Sequence, residues 1–220
     1  MAAVRCVACQ KLFPVDGFPY CCPNCGGIFD YDGAPEFDPK KVEKNLPGYW
    51  RYQHTFGLFE DAPIVTLGEG NTPLLWVEDQ GQQIGFKMEH LNPTGSYKDR
   101  GSAVLVSQLL GRGAKRAVED SSGNAGASFA AYAARGGLRA RVFVPESASG
   151  PKRVQIEAAG AELVSVPGPR SEAAKAVLDE VKRGVPYASH AYLPLNLLGQ
   201  PLLLGQSWLL YLAVLLLIGR

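Results

Sequence analysis

The spacing of apolar residues changes several times along this chain, and the changes outline its elements. Ile84 to Glu89 reads as a strand, and Asn92-Pro93-Thr94-Gly95 then breaks the pattern with turn-forming residues. From Lys98 onward Ala103, Val104, Val106, Leu109 and Leu110 recur at helical spacing. A short strand is predicted over Arg116 to Glu119. A helix follows over Gly123 to Arg135, with Phe129, Tyr132 and Ala133 on one face and Gly136-Gly137 as its stop. Leu138 to Val144 predicts a strand, and Pro151 to Ala159 a helix with proline in its first turn and Gly160 past its end. Ala161 to Val166 is again strand-like. Ser171 to Arg183 is helical, with Ala174, Val177, Leu178 and Val181 in register, and Tyr187 to Ser189 begins a further strand. Strands that alternate with helices of this length imply a parallel sheet with right-handed crossovers, so the predicted class is α/β.

The chain upstream is less periodic. Phe29 to Glu60 is rich in Pro, Gly, Lys and aromatic residues. Lys40 to Asn45 predicts a short helix ended by Leu46-Pro47-Gly48, and Tyr49, Trp50, Tyr52, Phe56 and Phe59 indicate a packed arm rather than a free linker. Gly68-Glu69-Gly70-Asn71-Thr72-Pro73-Leu74-Leu75 reads as a turn between two apolar runs.

The chain has 220 residues, 46% of them hydrophobic, with a formal net charge of +1. That is enough for one sizeable domain and a small module, and it gives no electrostatic argument for a nucleic-acid partner. The N-terminus lacks the apolar core of an export signal, so a cytoplasmic protein is expected. All five cysteines lie between Cys6 and Cys25. Cys6-Val7-Ala8-Cys9 and Cys22-Pro23-Asn24-Cys25 can each turn two thiolates toward one ion, the set that tetrahedral zinc favours. Four thiolates leave no open position, so a zinc held by Cys6, Cys9, Cys22 and Cys25 is structural. Redox cysteines or a vestigial site are the alternatives, and Cys21 is a spare thiol. Arg5 and Lys11 alone supply positive charge before Asp30, which argues against a nucleic-acid module. The module is expected over residues 1–32.

Two stretches carry further chemistry. Lys98 falls where a turn meets a helix, and the partial positive charge of a helix N-terminus disfavours a protonated amine. That is one route to a nucleophilic, imine-forming lysine; the plain alternative is a solvated lysine paired with Asp99. Ser121-Ser122-Gly123-Asn124-Ala125-Gly126 joins a strand to a helix, so its backbone N–H groups can cradle a carboxylate or phosphate. The plain alternative here is an ordinary cap in which Ser122 or Asn124 bonds the first turn.

The run Leu91-Asn92-Pro93-Thr94-Gly95-Ser96-Tyr97-Lys98-Asp99-Arg100-Gly101 resembles the cofactor-lysine motif of threonine synthases, within the fold type II pyridoxal-phosphate (PLP) family. Gly68 to Leu75, Ser121 to Asn124 and the N-terminal cysteine pairs resemble that family too. The resemblance implies PLP on Lys98, substrate carboxylate held by Ser121, Ser122, Gly123 and Asn124, and Asn124 against the cofactor ring. It further implies conversion of O-phosphohomoserine and water to threonine and phosphate. A threonine or serine dehydratase, a cysteate synthase or another β-replacement or elimination enzyme is the nearest alternative. A non-catalytic zinc-ribbon protein with a degraded PLP domain is the alternative from another class, and a self-contained doubly wound nucleotide binder is the alternative fold. The resemblance extends to Leu198: residues 33–198 are expected to be the N-terminal part of the PLP domain, with a small mobile domain over about 101–190. The implied partner is a small amino acid, with self-association left open. Residues 199–220 depart from the family pattern. They are apolar, with no charge before Arg220, and meet the length of a membrane span. The expectation adopted is a fold truncated before the second half of its large domain, ahead of a core helix or a membrane anchor. Weak PLP binding and slow turnover are expected with it.

Overall fold

The computed structural model describes residues 4–33, 38–55, 62–148, 150–189 and 192. The apolar tail 199–220 and the aromatics Phe56 and Phe59 lie outside the described residues. Three sheets form. Strands β1 (Val4–Cys6) and β2 (Phe29–Tyr31) pair antiparallel, Val4 opposite Tyr31. Strands β3 (Leu74–Asp79) and β4 (Gln82–Lys87) form a hairpin, Asp79 opposite Gln82. Strands β5 (Arg116–Glu119), β6 (Arg139–Pro145) and β7 (Glu162–Val166) make a parallel sheet in that order. Tyr187 bridges Val118 in parallel on the free side of β5, a single bridge where a strand was expected.

Among the described residues four α-helices complete the fold: α1 (Lys98–Gly111), α2 (Asn124–Gly136), α3 (Gly150–Ala158) and α4 (Arg170–Lys182). The expected α/β alternation is present, with boundaries shifted by one or two residues. Helix α2 stops because Gly137 takes the left-handed conformation (φ 70°), and its N–H bonds the Ala133 and Ala134 carbonyls. The side chains of β6 alternate between two cores. Val142 and Val144 join α1, α2 and α3, whereas Phe143 joins Val118 and the α4 residues Ala173 and Val177. The sheet is therefore covered on both faces, as a parallel sheet requires.

Two expectations change. The helix over Lys40 to Asn45 is one 3-10 turn, Pro39–Lys41, which Asp38 caps at the Lys40 N–H. Strand β4 is the strand expected over Ile84 to Glu89, shifted by two residues, whereas β3 and its pairing in a hairpin were not anticipated. Gln80 (φ 49°) and Gly81 (φ 78°) form its two-residue turn, which lacks the usual Asn-Gly signature. Both faces of the hairpin are open, leaving Leu75, Trp76, Val77, Ile84 and Phe86 exposed. Among the described residues no helix is long and apolar enough to cross a membrane.

Candidate active site

Lys98 is the first residue of α1, and the turn before it is held by buried polar groups. Thr94 and Ser96 are buried, as are Asp99 and Arg100 behind the lysine. The Ser96 hydroxyl accepts the Lys98 backbone N–H at 3.2 Å. Asp99 does not pair with Lys98. Its carboxylate accepts the Thr94 N–H at 2.7 Å, the Thr94 hydroxyl, and the Ser128 hydroxyl at 2.7 Å. The half-buried Lys98 side chain makes no ion pair among the described residues, and its Nζ lies 4.8 Å from the centre of the Tyr97 ring.

Ser128 stands one turn into α2, so its bond to Asp99 sets the start of α2 beside the start of α1. The Ser102 hydroxyl lies 2.8 Å from Ser128 Oγ and donates to it, since the one Ser128 proton goes to Asp99. The Ser121–Asn124 loop leads into α2 one turn before Ser128. Ser121 is buried, Ser122 and Gly123 are half-buried, and Asn124 is exposed. No side chain caps α2. The ordinary-cap alternative fails, and the N–H groups of the first turn are left facing the loop. Gly126 is needed for this geometry, because a Cβ there would sit 1.9 Å from the Ser121 carbonyl oxygen. The Ser121 N–H is itself held by the Glu119 carboxylate.

Two further carboxylates escaped the sequence reading: Glu89 braces the turn, and Glu69 anchors the aromatic arm. Glu89 takes a forked ion pair from Arg100, 2.9 Å from Nε and 2.8 Å from Nη2, with Thr72 and Asn92 as additional donors. Burial acts to raise the Glu89 pKa, but the bonds from Arg100 and Thr72 outweigh it and hold the group below the usual carboxylate range. Lys87 beside it donates to the Thr72 carbonyl, and burial lowers its pKa. Glu69 is fully buried. It accepts from Trp50 Nε1 at 2.6 Å, Tyr132 Oη at 2.7 Å, the Leu67 N–H at 3.0 Å and Thr66 Oγ1 at 3.1 Å. Burial, with Glu69 second, pushes the Tyr132 phenol above its usual range. The Gly-Glu-Gly run is thus an anchor for the aromatic arm as well as a turn. A Cβ on Gly48 would lie 2.0 Å from the Glu69 carbonyl oxygen. The available signal was an acid flanked by glycines next to an aromatic cluster, a pattern that suits a buried carboxylate wanting aromatic donors.

The cysteine module repeats one backbone scheme twice. Gln10 N–H bonds Cys6 O at 2.9 Å and Cys6 N–H bonds Lys11 O at 2.8 Å; Gly26 N–H bonds Cys22 O at 2.8 Å and Cys22 N–H bonds Gly27 O at 2.7 Å. Gln10 and Gly26 both have positive φ. The sulfurs of Cys6, Cys9, Cys22 and Cys25 all lie within 4.8 Å of one another, with Cys6 to Cys25 at 3.5 Å and Cys9 to Cys22 at 3.6 Å. Tetrahedral zinc with bonds of about 2.3 Å needs sulfurs about 3.8 Å apart, so the donor set fits the ion. The Lys11 N–H and the Cys25 thiol lower the Cys9 pKa to about 6. The Gly27 N–H acts to lower that of Cys25, yet Cys9 and Cys6 push it up to about 12. Cys21 is half-buried and stands outside the cluster. Arg112 at the end of α1 holds the module through the Pro14 and Gly17 carbonyls at 3.1 and 2.8 Å.

A lysine at one helix start beside an uncapped second helix start, with serine hydroxyls between, is a donor set suited to an aldehyde that also bears anionic groups. The comparisons with known proteins agree with that chemistry. The family model described as "Pyridoxal-phosphate dependent enzyme" matches residues 65–204. This chain belongs to the pyridoxal-phosphate-dependent enzyme family. Among its relatives, threonine synthase of Methanocaldococcus jannaschii is 35% identical over 89% of this chain and 51% of its own length. Threonine synthase of Bacillus sp. (strain ULM1) is 43% identical over 54% of this chain and 35% of its own. A solved PLP-dependent aspartate racemase superposes with a TM-score of 0.55 at 30% identity, covering 59% of this chain and 43% of the racemase. The chain spans about half the length of the first of these relatives.

Proposed function

We propose that these residues form the lysine-bearing part of a threonine-synthase-like site, which converts O-phosphohomoserine and water to threonine and phosphate. The observation that carries this reading is the Asp99–Ser128 bond, which sets Lys98 beside the uncapped start of α2. The threonine synthases among the relatives supply the choice of substrate. PLP would be held by Lys98 and by Asn124 against its ring; when bound, it supplies an electron sink for the pair released at the substrate's Cα. Ser121, Ser122, Gly123 and Asn124 orient the substrate carboxylate through hydroxyls and first-turn N–H groups. That orientation fixes which bond at Cα faces Lys98. The Lys98 amine would move protons at Cα, Cβ and Cγ: one leaves Cα and one Cβ as phosphate leaves Cγ, Cγ is protonated to the methyl group, water adds its hydroxyl at Cβ, and Cα is reprotonated. Asp99, paired elsewhere, leaves the amine free of a competing carboxylate. Residues 1–32 carry structural zinc on Cys6, Cys9, Cys22 and Cys25.

Borohydride reduction of the chain with PLP, followed by peptide mapping, tests the first step. Label should concentrate on Lys98; label spread over the exposed lysines would overturn it. Phosphate release from O-phosphohomoserine, measured against ammonia release from serine or threonine, tests the reaction. Ammonia without phosphate would replace the synthase with a dehydratase.

A further inference from the structure

A cavity lies on the face of the parallel sheet opposite to α1. Along β5, Ala117 packs with α1 and α2, whereas Val118 packs with α4. The alternation continues past the strand. Glu119 turns to the Ser121 N–H, and Asp120 turns the other way to accept the Tyr187 hydroxyl at 2.7 Å. Asp120 therefore precedes the substrate loop by one residue but opens on the opposite face. There it lines a cavity of about 550 Å³, between the start of α4 and the cysteine module.

The walls have distinct chemistry. Asp120 is 7% exposed, and among the described residues Tyr187 is the one donor to its carboxylate, at Oδ1. Among the described residues its second oxygen has no hydrogen-bond donor, and a carboxylate so placed on a cavity wall favours a cationic one. Arg170 and Ser171 line the α4 side. Helix α4 has thirteen residues, and Pro169 at its cap provides no side-chain bond; the Glu172 N–H goes to the Pro169 carbonyl at 2.9 Å, and the Arg170 and Ser171 N–H groups start the helix. Tyr20, Tyr187 and Tyr192 pack at ring separations of 5.7, 6.2 and 6.3 Å with their planes at 67°, 73° and 42° to one another, an edge-to-face cluster that gives the cavity an aromatic wall.

We propose that this cavity is a second site for a free α-amino acid, separate from the Lys98 site. The ligand ammonium bonds Asp120, its carboxylate meets Arg170 and the first turn of α4, and its side chain lies on the tyrosine wall. One ligand then satisfies an acidic group, a basic group and an apolar surface that line a single volume. Occupancy would tie the cysteine module to the sheet, because Tyr20 comes from the module and Tyr187 from the sheet.

Calorimetric titration of the full chain with each of the twenty protein amino acids tests this. At least one should bind, and it should bind Lys98→Ala equally well, which separates this site from the reaction site. Asp120→Asn and Arg170→Glu should each weaken binding by about tenfold or more, the loss of one charge-assisted bond. Arg170 is exposed, so that variant keeps the test open if Asp120→Asn fails to fold. Ethanolamine and propionate, each lacking one charged group, should bind more weakly by a similar factor. Absence of binding for all twenty amino acids at millimolar concentration would overturn the proposal. So would binding that survives both substitutions, or binding lost in Lys98→Ala.

Discussion

The cysteine module and the Lys98 turn hold reactive side chains in opposite ways. The module brings four thiols together within about twenty residues, with a backbone scheme used twice and few apolar neighbours: Cys6, Cys22 and Phe29 are its buried core. The Lys98 turn draws on segments far apart in the chain. Asp99 reaches Ser128 on α2, Glu89 joins Thr72 to Arg100, and Glu69 joins Trp50 to Tyr132. A small module without a large core would depend on an ion held by its four thiols, whereas the lysine turn depends on the packing of the whole domain.

Metal removal should break this comparison most sharply. Chelation of zinc is expected to release backbone protection across residues 4–31 and leave α1 and α2 protected, as read by hydrogen exchange. Binding of structural zinc is worth about 10–16 kcal/mol in small domains, far more than the module's own packing supplies. Loss of protection in α1 as well would show that Arg112 couples the two regions.

Glu69→Ala should come next, acting on the domain alone. It strips the acceptor from Trp50, Tyr132, Thr66 and the Leu67 N–H at once. Destabilisation of about 3–5 kcal/mol in urea denaturation is expected, with zinc content unchanged. Ser128→Ala sharpens the picture at lower cost, about 1 kcal/mol. Its larger effect should be functional: with the Asp99 link gone, borohydride labelling of Lys98 by PLP should slow while labelling of exposed lysines stays constant.

The smallest effect is the pH dependence of the Glu89–Arg100 pair. The folded Glu89 pKa lies below the ordinary value of 4.5, so below 4.5 the unfolded chain binds the proton more readily than the folded one. The pair's stabilisation is full above that value and is lost as pH falls through the lowered folded value. The gap in urea midpoint between the protein and Glu89→Gln should therefore be constant near neutrality and shrink below pH 4.5. A gap that widened on acidification would contradict the assigned direction.

What could be read from sequence followed how local each feature is. The cysteine spacing announced its cluster because a CxxC knuckle closes within a few residues. Helices α1 to α4 and strands β5 to β7 were legible because burial on one side or both imposes a period on apolar residues. Of the hairpin only β4 was legible, since its two open faces impose no alternation on β3 and its Gln80-Gly81 turn is atypical. Lys98 and the Ser121–Asn124 loop were legible as motifs.

Their meeting was decided by tertiary structure. Asp99 stands beside Lys98 in sequence, and the obvious local pairing was an ion pair between them. The fold gives Asp99 three better donors on Thr94 and Ser128, and so leaves the lysine without an ion-pair partner among the described residues. Glu69 looked like a loop acid until the arm carrying Trp50 and the helix carrying Tyr132 closed on it. A period or a knuckle is written in neighbouring residues. The choice of partner for a buried carboxylate is settled only when distant segments compete to satisfy it, because its desolvation is offset by whichever donors the packed chain delivers.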